Sequence, residues 1–348
     1  MNPEPDAAKK AGPPGAWPPF RIGPLVFDPP AVMAPMAGLT SWPVRMICRE
    51  MGASLAFTEM ISAVAVARGR VQADTLNALK TRPGDRPLGI QIFGSTAGEM
   101  AEAARSLAYM EADLVDINMG CPVRKIIRSG SGCALMLDPY RAGKIVRAAK
   151  QALSVPLTVK MRTGWDESSK NAVELARVCE SEGADAITIH GRTKAQGFSG
   201  ETDLDTIQDV VSSVNIPVIG NGGIMCARDA ENMIEKTGCA AVMVARGAIG
   251  NPWIFAAIAY GENSPKANPP LEEKARLILQ HLDWIKESVP ERKLTSEMRK
   301  HMAWYVKGMP DAAAFRRELH QLNDFHEVKD LVQRFFQSEP EPSCLKDG

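Results

Sequence analysis

Eight short apolar runs, each bounded by polar or turn residues, recur along the first two-thirds of the chain and dominate what it can fold into. They are Ala31–Met33, Leu55–Thr58, Leu88–Ile92, Leu114–Asn118, Leu157–Met161, Ala186–His190, Pro217–Gly220 and Ala241–Ala245. Runs this short and this rich in Val, Ile and Leu suit strands buried on both faces, as in parallel sheets covered by helices. Between them Ala97–Ala108, Pro139–Leu153, Asn171–Glu182 and Arg228–Thr237 carry apolar residues at helical spacing, with Ser95 and Asp138 placed as caps. Eight strands alternating with helices predict an α/β chain folded as a (β/α)8 TIM barrel. A doubly wound sheet would need fewer strands and an early Gly-rich phosphate turn.

The ends read differently. Residues 1–20 hold six prolines among Gly and Ala, too little apolar material to offset ordering entropy, and are expected to form a disordered leader. The barrel is expected over 21–260 and a Pro-containing linker over 261–270. A small all-helical unit is expected over 271–337, built from Leu271–Ser288, Thr295–Lys307 and Ala312–Phe336. A flexible tail is expected over 338–348.

The 41 basic and 41 acidic side chains cancel, so no global field draws the chain to nucleic acid or anionic lipid, and any such contact needs a local patch. No run of apolar residues is long enough to cross a bilayer, and no apolar secretory signal opens the chain, which leads to a cytoplasmic expectation. The seven cysteines form no C-x-x-C pair, so reduced thiols are expected and neither a disulfide framework nor a metal site. A monomer is expected.

In a TIM barrel the reactive groups lie at the C-terminal ends of strands. Here those ends are polar: Gln91, Asn118, Lys160 with Arg162, and His190 with Arg192. One such residue alone reads as solvated rim, but several converging strands point to a site. The segments Pro217–Gly223 (PVIGNGG) and Val242–Gly247 (VMVARG) end the last two runs with glycines, where backbone amides can face a phosphate and Arg246 supplies charge. Two other glycine runs, GSGCAL at 130–135 and GNGGIM at 220–225, lack dinucleotide-fingerprint spacing. A phosphate-bearing flavin in the barrel mouth is the economical cofactor, with Lys160 and Gln91 at its ring. Cys121 sits on a constrained turn before Pro122. The nearby Arg124, Lys125 and Arg128 read either as phosphate contacts that lower its pKa or as a solvated basic loop. Cys133 reads as structural.

The combination APMAG at 34–38, TEM at 58–60, DINMGCP at 116–122, KMRTG at 160–164, HGRT at 190–193 and PWIF at 252–255 resembles the tRNA-dihydrouridine synthases, closest to their bacterial B-type branch. The resemblance spans about Arg21 to Phe336. It implies an FMN enzyme that reduces the C5–C6 double bond of uridine in tRNA, with hydride passing from flavin N5 to C6 and NADPH regenerating the reduced flavin. It also implies that Cys121 protonates C5, a role that needs a protonated thiol, in keeping with a free-Cys pKa of ~8.5. By the same resemblance Pro35, Met36, Ala37, Gln91, Lys160, His190, Asn221, Gly222, Gly223, Ala245 and Arg246 hold the cofactor, and Asn118 orients the uracil. Gly223 departs from an acidic residue seen in some relatives. Ala245 stands where glycine is common, which puts flavin affinity in question.

A uridine stacked inside folded tRNA must be turned out to reach such a site. RNA grip is therefore expected from the helical unit, where Arg292–Arg317 holds seven basic residues against Glu297 and Asp311, a local 7 − 2 = +5. Arg299, Lys300, Arg316 and Arg317, with Arg162 and Arg192 at the barrel, are the expected substrate contacts. Trp304 and Tyr305 read either as stacking platforms or as core. Two rival functions are a flavin barrel reducing a small molecule, which needs no basic helical unit, and an RNA-binding protein that retains a catalytically dead barrel.

Overall fold

The computed structural model describes residues 17–69, 79–108 and 112–337. The expectations for residues 1–16 and for the 338–348 tail lie outside them. A small antiparallel hairpin comes first, β1 (Phe20–Ile22) paired with β2 (Leu25–Phe27). In chain order follow β3 (Ala31–Met33), β4 (Leu55–Phe57), β5 (Ile61–Ser62), β6 (Leu88–Phe93), β7 (Leu114–Met119), β8 (Leu157–Arg162), β9 (Ala186–His190), β10 (Val218–Asn221) and β11 (Ala241–Val244). Their pairings are all parallel. β11 returns to β3 and β4 pairs with β6, which closes eight strands into a ring, while β5 extends the far end of β6. The eight apolar runs are the eight staves, with ends shifted by a residue or two.

Side-chain alternation sorts each stave into two faces. Ala31, Met33, Ile90, Ile92, Val115, Ile117, Val159, Ile187 and Ile189 face the surrounding helices and form the larger core. Val32, Leu55, Phe57, Leu114, Ala186, Ile219 and Ala241 face inward and pack with Phe20, Ile22 and Phe27 of the hairpin. The hairpin is therefore an apolar plug in the N-terminal end of the barrel. Phe57 fills so much of the interior that a Cβ at Gly89 would lie 2.4 Å from its ring, which explains a glycine inside a central strand.

This plug corrects the leader boundary. Phe20 is 5 % exposed and Trp17 packs on the barrel core, so ordered chain begins before residue 21. Asp138 accepts the Arg141 amide at 3.0 Å and caps helix Pro139–Gln151 as expected. The helix Ala97–Ala108 is capped by Thr96 rather than Ser95.

Residues 261–270 run as turns after helix Ile254–Tyr260 and lead into Leu271–Ser288. The second helix of the C-terminal unit starts earlier than expected, at Glu291 after Pro290, and ends at Tyr305. The expected helical segment over 312–336 forms two helices, Ala312–Leu319 and Phe325–Gln337. Asp324 accepts the amides of His326 and Glu327 and starts the last helix. Met298, Met302, Leu282, Leu319 and Val332 form this unit's core, which takes in Ile47 and Trp253 from the barrel, so an apolar interface is continuous between the two. Among the described residues no helix is long and apolar enough to cross a membrane.

Candidate active site

With one end plugged, the inward face turns polar toward the other. On β7 the sequence Leu114, Asp116, Asn118 steps from the apolar floor to the mouth, and on β8 Thr158, Lys160 and Arg162 do the same. Thr188 with His190 on β9 and Asn221 on β10 complete the rise. Period-two alternation thus delivers these groups to one end. The upper members of these series, Asn118, Lys160, Arg162, His190 and Asn221, line a cavity of about 470 Å³ together with Pro35, Met36, Ala37, Gln91, Cys121, Gly222, Gly223, Ala245 and Arg246. Every residue expected at the cofactor reaches this cavity, as do Cys121, Asn118 and Arg162.

A chain of hydrogen bonds fixes the cavity floor. Thr158 Oγ1 donates to Asp116 Oδ1 at 2.6 Å, Gln91 Nε2 donates to Asp116 Oδ2 at 2.7 Å, and Asn118 Nδ2 donates to Gln91 Oε1 at 2.9 Å. Burial lifts the Asp116 carboxyl to about 6, against those two donors and the Lys160 charge. Lys160 Nζ donates to Asn221 Oδ1 at 2.9 Å, and Asn221 Nδ2 donates to the Met243 carbonyl at 2.7 Å. Burial, then the Arg162 charge, bring the Lys160 ammonium down to about 8. A cation is thus held ready where an anionic partner would restore its usual affinity for the proton.

Cys121 stands on a loop that Asn118 and Arg162 shape from two sides. Asn118 Oδ1 accepts the Gly120 amide at 3.2 Å and the Cys121 amide at 2.9 Å. Arg162 Nε donates to the Gly120 carbonyl at 2.8 Å, and its Nη1 to the Thr193 and Gly197 carbonyls at 2.9 and 2.8 Å. The guanidinium therefore ties the cysteine loop to the loop after β9. Burial pushes the thiol up, partly opposed by the Val123 amide and the Arg162 charge. The basic loop is not the cation acting on the sulfur: Arg124, Lys125 and Arg128 are exposed on the helix Arg124–Arg128. Cys133 is buried with its thiol raised to about 12, a structural residue.

The wall below β10 and β11 is made of backbone. Gly222 and Gly223 have φ of +121° and +74°, and a Cβ on Gly223 would fall 2.8 Å from Thr202 Oγ1. Glycine there answers a backbone need and the nearness of Thr202. Ala245, at φ −115°, lies outside the left-handed region, so its backbone does not require glycine. His190 Nδ1 is buried without a partner, and burial, then the Lys160, Arg162, Arg192 and Arg246 charges, depress its imidazole to about 2.

Other expected contacts are used within the chain. Arg192 lies behind the mouth, giving Nε and Nη2 to the Gly200 carbonyl, and does not line the cavity. Arg299 donates to the Leu322 carbonyl and Asn323 Oδ1, bridging the break between the last two helices. Lys300 donates to the Gly38 carbonyl and pairs with Glu297. Tyr305 is core: its hydroxyl meets His281 Nδ1 at 2.8 Å, which removes it as a stacking platform. Arg316 is half-buried, and Arg317 is exposed.

Sequence reasoning missed Phe198, 59 % exposed at the mouth, with the Arg162 and Arg246 guanidiniums 5.5 and 5.2 Å from its ring centre. An aromatic in a polar loop just after HGRT was the available signal. It also missed the floor role of Asp116, although the residue lies within DINMGCP.

A profile of the family described as Dihydrouridine synthase matches residues 32–339. The chain is 36% identical over 332 residues to a probable tRNA-dihydrouridine synthase of Rickettsia conorii, covering 94% of this chain and 99% of that one. It is 36% identical over 326 residues to tRNA-dihydrouridine synthase B of Pseudomonas aeruginosa, covering 91% and 95%. Histamine dehydrogenase from Rhizobium sp. 4-9 superposes with a TM-score of 0.54 at 14% identity, over 77% of this chain and 51% of that one, a likeness of fold. With the barrel, the cysteine loop and these matches in hand, the chain belongs to the dihydrouridine synthase family, in its bacterial B-type branch.

Proposed function

We propose that this dihydrouridine synthase binds FMN in the barrel mouth and reduces the C5–C6 bond of a uridine in tRNA, with NADPH as the reductant and Cys121 Sγ as the proton donor to C5. The residues present suit FMN. The Gly222–Gly223 turn and the Ala245–Arg246 amides form a cradle for a phosphate, with Arg246 as counter-charge. Lys160, held below its usual affinity for the proton, gains most from an electron-rich ring edge. His190 Nδ1 is a buried group still in want of a partner. Bound there, the flavin supplies the hydride that adds to C6.

The chain's own work is positioning and proton delivery. Gln91 and Asp116 fix Asn118, whose side-chain oxygen holds the Gly120 and Cys121 amides, so the sulfur is aimed by a relay that begins on the barrel floor. Burial keeps the thiol protonated, which is the state a general acid needs. Arg162 locks the loop from the opposite side. Phe198 and Val123 are exposed apolar groups at the mouth, suited to the face of an ejected base. The helical unit, with Arg316 and Arg317, is the proposed RNA-binding element.

The observation that carries the reading is the meeting of Cys121, Lys160 and the Gly222–Gly223 turn in one cavity. A small-molecule reductase would share the flavin but not need residues after 270. The test is FMN retention by the purified protein followed by turnover of an unmodified tRNA transcript. Cys121→Ala is expected to keep the flavin and lose dihydrouridine formation, and full activity in that variant overturns the proton-donor assignment.

A further inference from the structure

The loop Pro35–Thr40 forms one wall of the cavity, and two charged side chains hold both polar groups of its residue Gly38. Glu59 Oε2 accepts the Gly38 amide at 2.7 Å, reaching from the barrel. Lys300 Nζ donates to the Gly38 carbonyl at 2.9 Å, reaching from helix Glu291–Tyr305 of the C-terminal unit, 262 residues away in sequence. Gly38 sits at φ +72°, so the loop bends there, and nothing lies within 4 Å of where a Cβ would stand. The Leu39 amide donates to the Met36 carbonyl at 3.0 Å and closes the turn, and the two charged side chains fasten that turn to the barrel and to the helical unit. Thr40 Oγ1 accepts the Met36 amide at 3.1 Å and donates to the Met36 carbonyl at 3.2 Å, and Arg45 Nη1 donates to the Thr40 carbonyl at 2.8 Å, so the far end of the loop is anchored while its bend depends on the two charged side chains for a tie to the rest of the chain.

Lys300 is also poorly suited to the role its place in the basic stretch suggested. Its ammonium lies 2.5 Å from Glu297 Oε2, with both side chains 27 % exposed. A cation already neutralised and already donating to a carbonyl releases few counterions to an RNA phosphate.

We infer that Lys300 and Glu59 are positioning residues that clamp Gly38 and thereby shape the Pro35–Thr40 wall against the cofactor, making the helical unit part of the flavin site. This rests on the proposed FMN site. The helical unit then does more than carry RNA: its seating on the barrel and the fit of the cavity wall are one event. Glu59, the acidic residue of the TEM segment, finds its use here, one residue before Met60, which lines the cavity.

The test uses full-length holoenzyme with FMN and an unmodified tRNA transcript as probes. In Lys300→Met, FMN release on dilution is expected to quicken about fivefold, the loss of one half-exposed charge-assisted hydrogen bond. The salt dependence of tRNA affinity should stay at the wild-type value. Lys300→Arg should recover most of the retention. Glu59→Ala, which acts from the barrel side, should quicken release likewise and serves if Lys300→Met fails to fold. Wild-type release rates in the folded variants overturn the inference, and so does a salt slope for Lys300→Met that falls by about one while FMN retention is unchanged, the signature of a phosphate contact. A wild-type chain that holds no FMN overturns the functional reading and this inference with it. Wild-type retention with unaltered release in the variants overturns the inference alone.

Discussion

Replacing Lys160 with Met should separate stability from cofactor binding, because burial holds the ammonium at a cost in the apo-protein. Its pKa is brought from 10.5 to about 8, chiefly by burial. Keeping the charge at neutral pH then corresponds to about 3 kcal/mol, reduced to roughly 1–2 kcal/mol by solvent reaching the open cavity. Met removes that cost but strands Asn221 Oδ1, which loses its donor at 2.9 Å, a loss of about 1 kcal/mol. The apo-variant should therefore be as stable as wild type or up to about 1 kcal/mol more stable.

The sign fixes a pH signature for the same variant. A lysine whose folded pKa lies below its unfolded value opposes folding fully below about pH 8, and that opposition fades as pH rises toward 10.5. Wild-type apo-protein should gain on the Met variant across that window. FMN affinity should fall about 10- to 100-fold, the worth of a charge-assisted hydrogen bond of ~1.5–3 kcal/mol. Urea midpoints of both apo-proteins and FMN fluorescence titration measure the two effects. Unchanged FMN affinity, or an apo-variant less stable by more than about 2 kcal/mol, would refute the reasoning by making Lys160 a structural residue.

The other predictions concern the cysteine loop, the RNA face and acid sensitivity. Since burial raises the Cys121 thiol, dihydrouridine formation should persist into alkaline solution and decline only above the usual thiol range; a rate limb below pH 8 in single-turnover assays would contradict this. Arg162→Lys keeps the charge but loses the fork that joins the Gly120, Thr193 and Gly197 carbonyls, so kcat should drop at least about tenfold with FMN retained; equal turnover would remove Arg162 from loop positioning. Reversing Arg316 and Arg317 to Glu should lower the salt slope of tRNA binding by about two, read by titration at several ionic strengths, and an unaltered slope returns them to ordinary surface. His190, depressed to about 2 mainly by burial, disfavours folding as pH falls from 6.5, so His190→Gln should unfold at lower pH than wild type in acid titrations of the apo-protein; coincident acid transitions would exclude that linkage.

Much of the barrel was legible because strands buried on both faces must be continuously apolar, and every expected stave proved real. The hairpin was not legible. Each of its strands has three residues beside a Pro-rich segment, and only the barrel floor gives Phe20, Ile22 and Phe27 a reason to be ordered. The break after Leu319 was legible in principle, since Asp324 and Glu327 have N-cap spacing, but Leu322, Phe325 and Val328 continued the helical period and concealed it.

Gln91, Asn118, Lys160, Arg162 and His190 followed from the rule that strand ends carry function, and the resemblance added Pro35, Met36 and Ala37 and the roles expected of them all. What a sequence cannot assign is how a side chain divides its bonds. Arg299 and Lys300 looked like free cations, yet one closes a helix break and the other grips Gly38. Asn118, expected to orient the uracil, commits its oxygen to the Gly120 and Cys121 amides. Such choices depend on partners 20 to 260 residues distant or on turn geometry, neither of which local pattern encodes.

The most direct test is to incubate the purified chain, FMN and NADPH with an unmodified tRNA transcript and to weigh the nucleosides by mass spectrometry. The account predicts that a uridine gains two hydrogens with wild-type protein, and that Cys121→Ala holds the flavin but yields no such product. A flavin-loaded wild-type protein that leaves every uridine intact, or a Cys121→Ala variant that reduces it at the wild-type rate, would contradict the central claim.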